Sequence, residues 1–525
     1  MRLSSLDIAT FIVYCLALIG IAWWVSREKA GHVKNTQDYF LASKSLPWWA
    51  IGASLIAANI SAEQIIGMSG DGFRMGMAIA SYEWMAALTL LIVGKFFLPI
   101  FLKKGIYTMP QFLEERFDYR VRIVMAIFWL GVYTFVNLAA VLWLGALAIN
   151  TITGVDVAYG MVFLALFSIG YSIYGGLKAI ALTDIIQVVL LICGGLMVSY
   201  LALNNISDSF GDGGGAWQGF SIMLAEVPEK FNMIFDPDHE HYISLPGLSV
   251  LIGGMWIMNL SYWGFNQYIT QRALAAKSLK EAQKGIAFAA YLKLLMPVIV
   301  VLPGIAAYML RPDLEMADQA YPTMMQLVPQ GLLGITFAAL VAAIASSLGS
   351  MTNSISTIFT VDIYKKLINP EASEKRSVLV GRSAAIVAML CAVIVARPLL
   401  GNLPGAFQYI QEFTGFFTPG IVAIFLLGFF WKKATALSAL VAAIGSAVLS
   451  LAFYLWWPAL PFIDRVGLVF ITCMVLAVVI TLASGAKEHD KAIELDDIQF
   501  STTTSFNLAS LGVVLILIAL YAAWW

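Results

Sequence analysis

The stretch Ala57-Ala58-Asn59-Ile60-Ser61-Ala62-Glu63-Gln64, followed by Tyr82-Glu83-Trp84, sits inside hydrophobic sequence long enough to cross a bilayer. It places amides, a hydroxyl and two carboxylates where hydrocarbon would otherwise surround them. An ionisable side chain at mid-membrane costs about 2.5–3.5 kcal/mol on insertion scales, so such groups face protein, water or a ligand. The run therefore reads as a candidate functional site in a membrane-spanning chain.

Of the 525 residues, 60% are hydrophobic and 12% charged. A soluble domain carries roughly 25% charged residues, so a polytopic membrane protein is expected. The net charge of −1 offers no bulk basicity to a nucleic acid. Cys15, Cys193, Cys391 and Cys473 lie far apart in apolar sequence, with neither disulfide nor zinc spacing. The histidines fall in loops. Asp236-Pro237-Asp238-His239-Glu240-His241 could hold a metal, although a solvated polar loop is the commoner meaning of such a run. The apolar run from Ile8 to Val25 contains Trp23-Trp24 near its end and has no small-residue cleavage pattern. It reads as a first spanning helix.

Windows of about 20 apolar residues suggest fourteen spans, near 7–26, 45–69, 75–101, 122–150, 157–174, 183–203, 247–270, 284–310, 332–361, 380–397, 403–430, 434–457, 465–484 and 504–525. Basic residues cluster in alternate loops. Arg27, Lys29, Lys34 and Lys44 mark the first, Lys103, Lys104, Arg116, Arg120 and Arg122 the third, and Lys178 the fifth. Arg272, Lys277, Lys280 and Lys284 mark the seventh, and Lys365, Lys366, Lys375, Arg376 and Arg382 the ninth. Lys432 and Lys433, then Lys487 and Lys491, continue the pattern. Basic loops face the cytoplasm. A multi-pass protein of the cell (inner) membrane is expected, with both termini on the external, periplasmic side.

The second span is poor in good helix formers, and Gly67 and Gly70 follow its polar run. A discontinuous helix is expected there, because freed backbone groups at membrane depth are tolerated where they line a cavity or hold an ion. The alternative is a continuous helix packed through its small residues. The seventh span, Gly253 to Gln267, repeats the theme, with a break expected at Asn259 to Tyr262. Two interrupted helices five spans apart mark a five-plus-five inverted repeat with a site at the midplane, the LeuT-like arrangement. The expected organisation is a first helix and cytoplasmic loop (1–43), a first repeat (44–203), an external loop (204–246), a second repeat (247–430) and three further C-terminal helices (431–525).

Glu83 and Lys293, with Gln64, Asn259 and Gln411, make a set of amides, one carboxylate and one ammonium. That set suits a ligand rich in hydroxyls, each of which both donates and accepts. The plainer reading is that Glu83 and Lys293 pair as structural glue. In the ninth span, hydroxyls recur at helical spacing around Ser346-Ser347. Neutral oxygens suit a weakly held sodium ion, whereas calcium and magnesium sites take several carboxylates. A small-residue packing seam is an equal reading. No nucleophile–base constellation is visible, so an enzyme is not expected, nor an organic cofactor.

Leu46-Pro47-Trp48-Trp49, Ala57 to Gln64, Ser81-Tyr82-Glu83-Trp84, Tyr174-Gly175-Gly176, Trp263-Gly264-Phe265-Asn266-Gln267 and the Ser346-Ser347 segment resemble the sodium/solute symporter family, and within it the bacterial sodium/galactose (glucose) branch. The resemblance runs over essentially the whole chain. It implies sodium on the main-chain carbonyls of Ala57, Ile60 and Ala343 and the hydroxyls of Ser346 and Ser347. It implies a monosaccharide at Gln64, Glu83, Asn259, Lys293 and Gln411, with Asn59 nearby. Tyr262 would stack on the sugar as an inner gate. Met68, Tyr82 and Phe407 would form an outer lid, and Asp184 would mark the sodium exit path.

Two departures from the family pattern bear on substrate and stoichiometry. Ala86 stands where the galactose pattern has a sugar-contacting serine, which leaves the hexose open. Gly349 stands where members carrying a second sodium have another serine, which implies one sodium per sugar. Sodium-driven hexose uptake by alternating access is the expected function, with sodium, a monosaccharide and membrane lipid as partners. Symport of sialic acid, an amino acid or a vitamin is the alternative, and a membrane sugar sensor a weaker one.

Overall fold

The computed structural model describes residues 3–25, 46–105, 108–172, 176–401, 406–485 and 487–525. The side chains of residues 22, 23, 25, 171, 172, 176–184, 268 and 409 lie outside that description. So do Arg27, Lys29, Lys34 and Lys44 of the first basic loop, Lys178, and the Tyr174-Gly175-Gly176 motif apart from the backbone of Gly176.

The described chain is all-helical, without a strand. Its first part comprises α1 (Ser5–Val25), α2 (Trp48–Asn59), α3 (Ser69–Met75), α4 (Ser81–Ile92), α5 (Leu98–Lys104), α6 (Met109–Arg116), α7 (Tyr119–Gly131), α8 (Ala139–Thr153), α9 (Val157–Ser172) and α10 (Gly176–Phe210). After α11 (Ala216–Glu226) come α12 (Ser249–Ile252), α13 (Gly254–Leu260), α14 (Gln267–Leu274), α15 (Leu279–Leu310), α16 (Ala320–Met325), α17 (Leu332–Ile358), α18 (Glu374–Leu400), α19 (Ala406–Thr414) and α20 (Thr418–Phe430). The chain ends with α21 (Ala436–Trp456), α22 (Phe462–Ala483) and α23 (Thr504–Ala523).

Each predicted span has a helical counterpart. Nine helical runs among the described residues are long and apolar enough to cross a membrane, and the bent pair α19–α20 makes a tenth. The segments Ser5–Ile21 and Val157–Gly170 are shorter apolar helices. The second and seventh spans are both interrupted, and the eleventh is bent by 45° between α19 and α20.

The two interruptions have different forms. In the second span α2 stops at Asn59, where Ile60 takes φ −70° and ψ 78°. A wide π-helical turn, Glu63–Met68, and α3 then continue the chain to Met75, six residues beyond the expected end. In the seventh span the helix runs unbroken through Asn259 to Tyr262, which corrects the expected position. The chain breaks at Gly253, and again at Asn266 (φ −84°, ψ 123°) after the π turn Ser261–Phe265. The polar cluster at 259–262 is accommodated by widening the helix rather than ending it, and π turns of this kind are frequent at functional sites.

Buried polar contacts set how these helices dock. Asp7 of α1 accepts from the amides of Gly331 and Gly334 at 2.7 and 2.9 Å, so its carboxylate sits on the positive end of α17. Lys230, in the 211–248 connection, donates to the last carbonyls of α3, Phe73 O and Arg74 O, at 3.2 and 2.6 Å. Burial lowers the pKa of that ammonium. Arg116 and Arg272 correct the sequence reading, which counted both as loop charges: they are among the most buried side chains of the protein. Arg116 Nε donates to Gly428 O at 2.9 Å, which joins α6 to the end of α20.

In α15, the longest helix of the second half, close backbone approach constrains one residue tightly. A Cβ at Gly304 would lie 2.1 Å from Ser69 O, so α15 and α3 touch backbone to backbone. Gly304→Val is expected to push them apart. Overpacking costs roughly 1–3 kcal/mol for extra methylenes in a core, and rigid backbone leaves no room to relax. The yield of monodisperse protein and its melting temperature in detergent should both fall; an unchanged melting curve would contradict the contact.

Candidate functional site

The break after α2 organises the site. Ser61 is released from the helix, and its N–H reaches Asn59 O at 2.7 Å and, more weakly, Gln64 Oε1 at 3.5 Å. Its hydroxyl accepts from the Glu63 amide at 3.1 Å and donates to Gln64 Oε1 at 2.9 Å. A serine at such a position offers the backbone a local alternative to the helix ladder. Here it also fixes the orientation of the Gln64 amide.

Asn59, the last residue of α2, joins two distant elements. Its Nδ2 donates to the Tyr262 hydroxyl at 3.0 Å, and its Oδ1 accepts from Lys293 Nζ of α15. Lys293 also donates to Glu83 Oε2 of α4 at 2.5 Å, and its Nζ lies 5.0 Å from the Trp263 ring centre. Both charged side chains are almost wholly buried. The pairing anticipated as structural glue is therefore present. It also faces a cavity, so it is not merely filler between helices.

That cavity, about 50 Å³, gathers the predicted substrate residues Asn59, Gln64, Glu83, Asn259, Lys293 and Gln411. Tyr262 and the predicted lid residues Tyr82 and Phe407 line it as well. Ala86, Met258 and Trp263 complete the lining. Asn259 Nδ2 is turned onto its own helix, donating to Met255 O at 3.1 Å. The Tyr82 and Phe407 rings meet edge to face at 5.2 Å. Met68 is buried without lining the cavity. Ordinary ligand pockets measure roughly 300–1,000 Å³, so this cavity is small, with the aromatic pair and the Glu83–Lys293 bridge among its walls.

The start of α19 is anchored from outside the spans. Asp318 Oδ2 accepts from the Ala406 amide at 3.2 Å, at the start of the helix that bears Phe407 and Gln411. Burial pushes the Asp318 carboxyl up to about 7, opposed by that hydrogen bond and by Arg74.

The predicted sodium residues form a second group. Ala57, Ile60, Ala343, Ser346 and Ser347 are all buried where α2 packs on α17. Ser347 Oγ donates to Ala58 O at 3.1 Å. No carboxylate belongs to this group, and a donor set of neutral oxygens fits a readily released monovalent ion better than a tightly bound divalent one. Asp184 lies on α10, and its side chain falls outside the described residues.

Arg272 was missed as a site residue by sequence reasoning. Its Nε donates to Ser54 Oγ of α2 at 2.7 Å, and its Nη2 donates to Ser350 Oγ of α17. It thus ties together, about one turn away, the two helices that carry the sodium candidates. The polar run Gln267 to Arg272, directly after the second break, was the available signal. Glu63, which the sequence left without a role, is buried with Asn137 as its side-chain partner, and its Oε1 has no hydrogen-bond partner.

His239 and His241 have local contacts. The His239 ring stacks on Phe235 at 4.0 Å, and His241 Nε2 lies 3.2 Å from Arg74 O. Among the described residues no group of three or more His, Cys, Asp or Glu side chains is placed to hold a metal ion.

Comparison with known proteins agrees with this architecture. A sodium/glucose cotransporter of Vibrio parahaemolyticus is 50% identical over 541 residues, covering 100% of this chain and 99% of its own length. An uncharacterised symporter of Escherichia coli, YidK, is 34% identical over 537 residues, covering 99% of this chain and 91% of its own. The structure of a Na+-coupled sialic acid symporter in a substrate-bound, outward-open state superposes with a TM-score of 0.80 at 23% identity, covering 91% of this chain and 98% of that one. That likeness establishes the shared fold. Residues 39–445 match the sodium:solute symporter family, and with relatives this similar over their whole length, the chain belongs to that family.

Proposed function

We propose that this chain couples inward movement of sodium to uptake of a hexose of the galactose or glucose type by alternating access, with one sodium per sugar. The observation that carries this reading is the cavity lined by Gln64, Glu83, Asn259, Lys293 and Gln411. Its amides and its carboxylate–ammonium pair can donate to and accept from several hydroxyls at once. The 50% identical relative named for sodium and glucose supports the same substrate class.

In this reading Ala57, Ile60, Ala343, Ser346 and Ser347 receive sodium, and Asp184 lies on its exit path. Tyr82, Phe407 and Met68 close the external side, and Tyr262 the cytoplasmic side. The termini are external, and the repeats span 44–203 and 247–430. Asn59 supplies the coupling. It is adjacent to Ile60 and bonded to both Tyr262 and Lys293, so an ion that reshapes the end of α2 alters the inner gate and the sugar site together. Coupling requires that sodium prefer one state over the other; equal affinity would shift nothing. Each sodium entering brings about 2.3 kcal/mol per 100 mV of membrane potential.

The test is uptake into proteoliposomes with and without an inward sodium gradient, across galactose, glucose, mannose and N-acetylhexosamines. Accumulation of galactose or glucose only with the gradient is expected, with a flux ratio of one sodium per sugar. Equal uptake in the absence of sodium would overturn symport. Sodium-driven uptake confined to a charged solute would overturn the hexose.

A further inference from the structure

Outside the sugar site, the start of α19 rests on a buried cluster of charge. Asp318 lies in the short turn Ala317–Gln319 and accepts from the Ala406 amide through Oδ2 at 3.2 Å. Its other oxygen lies against α3, where a Cβ at Gly70 would stand 2.5 Å from Oδ1. The next residue of α3, Asp71, is buried as fully as Asp318. Asp71 Oδ1 accepts from Arg74 Nη1 at 3.3 Å, and its Oδ2 has no hydrogen-bond partner. Tyr82 of α4, whose ring meets Phe407 at 5.2 Å, is within reach of the Asp71 charge. Two buried carboxyls thus share one guanidinium next to the two rings.

The charge does not balance. Arg74 is committed to Asp71 and acts on Asp318 only through space. Of the other elements packed on the Asp318 turn, the π turn brings Glu63 and α16 brings Tyr321, while α8 brings no titratable group. Glu412 of α19 is paired with Arg465 at 2.7 Å. Lys230 and His241 meet Arg74 at its carbonyl. A charge buried without its own partner is neutralised rather than kept, because desolvation penalises the charged form. Burial accordingly pushes the Asp318 carboxyl up to about 7, against about 4 for a hydrated one. A protonated carboxyl keeps a carbonyl oxygen for the Ala406 amide, so the anchor survives neutralisation.

We propose that Asp318 is a positioning residue that couples closure of the outer lid to uptake of one proton from the external side. The inference rests on the reading of Tyr82 and Phe407 as that lid. With α19 lifted, Asp318 meets water and is ionised at neutral pH. As α19 settles, the carboxyl is buried beside Asp71 and takes a proton. The proton returns to the same side when the lid reopens, so it is not transported and the sodium stoichiometry is unaffected. The closed state has the raised pKa, so closure is favoured as pH falls through about 7, and the gain is complete below about 4. Between pH 8 and pH 6 the closure constant should rise about tenfold.

The test is hydrogen exchange of the peptide 406–416 in the full chain, reconstituted in lipid nanodiscs. Each rate is divided by that of the same peptide unfolded at the same pH, which removes the intrinsic pH dependence. Protection in the parent should rise about tenfold from pH 8 to pH 6. Asp318→Asn, which mimics the protonated carboxyl, should be the more protected at both pH values and show no pH dependence. Asp71→Asn leaves Arg74 to Asp318, so the midpoint of the dependence should move to lower pH. His241→Gln should keep the parent's dependence, although that histidine also meets Arg74. In sodium-driven uptake, the half-saturating sugar concentration should fall up to tenfold over the same external range in the parent and stay constant in Asp318→Asn. Protection in the parent that is the same at both pH values, a dependence that survives Asp318→Asn or vanishes in His241→Gln, or an unmoved midpoint in Asp71→Asn would each overturn the proposal. The exchange measurement needs no sugar, so uptake by the parent at a single pH tests the transport reading separately.

Discussion

Lys293→Ala is expected to reduce sodium-driven uptake by at least about a hundredfold and to destabilise the protein. Lys293 Nζ serves Glu83 at 2.5 Å and Asn59 at once, in a setting where both charges are almost wholly buried. Removing one partner of a buried pair costs about 3–5 kcal/mol, because the remaining charge is left uncompensated. Each ~1.4 kcal/mol is a factor of ten. The same change releases Asn59, and with it the link to Tyr262. Lys293→Ala combined with Glu83→Gln removes the orphaned charge, so the melting temperature should recover while uptake does not. That split separates folding from transport. Full uptake by Lys293→Ala would remove the pair from the mechanism, and failure of the double variant to regain stability would mean that the charge is not what the single variant leaves behind.

The second large effect is expected at Ser347. Ser347→Ala removes a hydroxyl that reaches Ala58 O at the end of α2. Losing one buried hydrogen-bonding group costs about 1–3 kcal/mol. The sodium concentration for half-maximal uptake should therefore rise roughly ten- to a hundredfold. The order of preference among hexoses should stay the same, because Ser347 does not line the sugar cavity. Measuring uptake against sodium at fixed sugar, and against sugar at saturating sodium, distinguishes the two. Unchanged sodium dependence with an altered sugar order would reassign the residue to the sugar site.

Legibility from sequence followed the range of the interactions. The break after Asn59 was readable because its causes are local: a helix-poor run, a serine that competes for backbone bonds, and nearby glycines. The second break was misplaced because Asn259, Ser261 and Tyr262 carry the same polar signal, yet a π turn absorbs them and the chain departs only at Asn266. Arg272 looked like one more loop cation. Its burial depends on Ser54 and Ser350, 218 and 78 residues away, and no local pattern encodes those partners. The approach of Asp318 to Asp71 was invisible for a similar reason, since the two belong to distant parts of the chain.

The sequence by itself determined the membrane-spanning helices, their order and the types of polar group carried into the bilayer. In hydrocarbon each backbone N–H and C=O must be satisfied within its own segment, so local composition and length decide the helices. Only the tertiary structure decided which polar groups meet. The chain Tyr262–Asn59–Lys293–Glu83 joins residues 203, 234 and 210 positions apart. Its geometry is set by how α2, α4 and α15 pack around the break, because a buried charge is stable only where the packing brings it a partner.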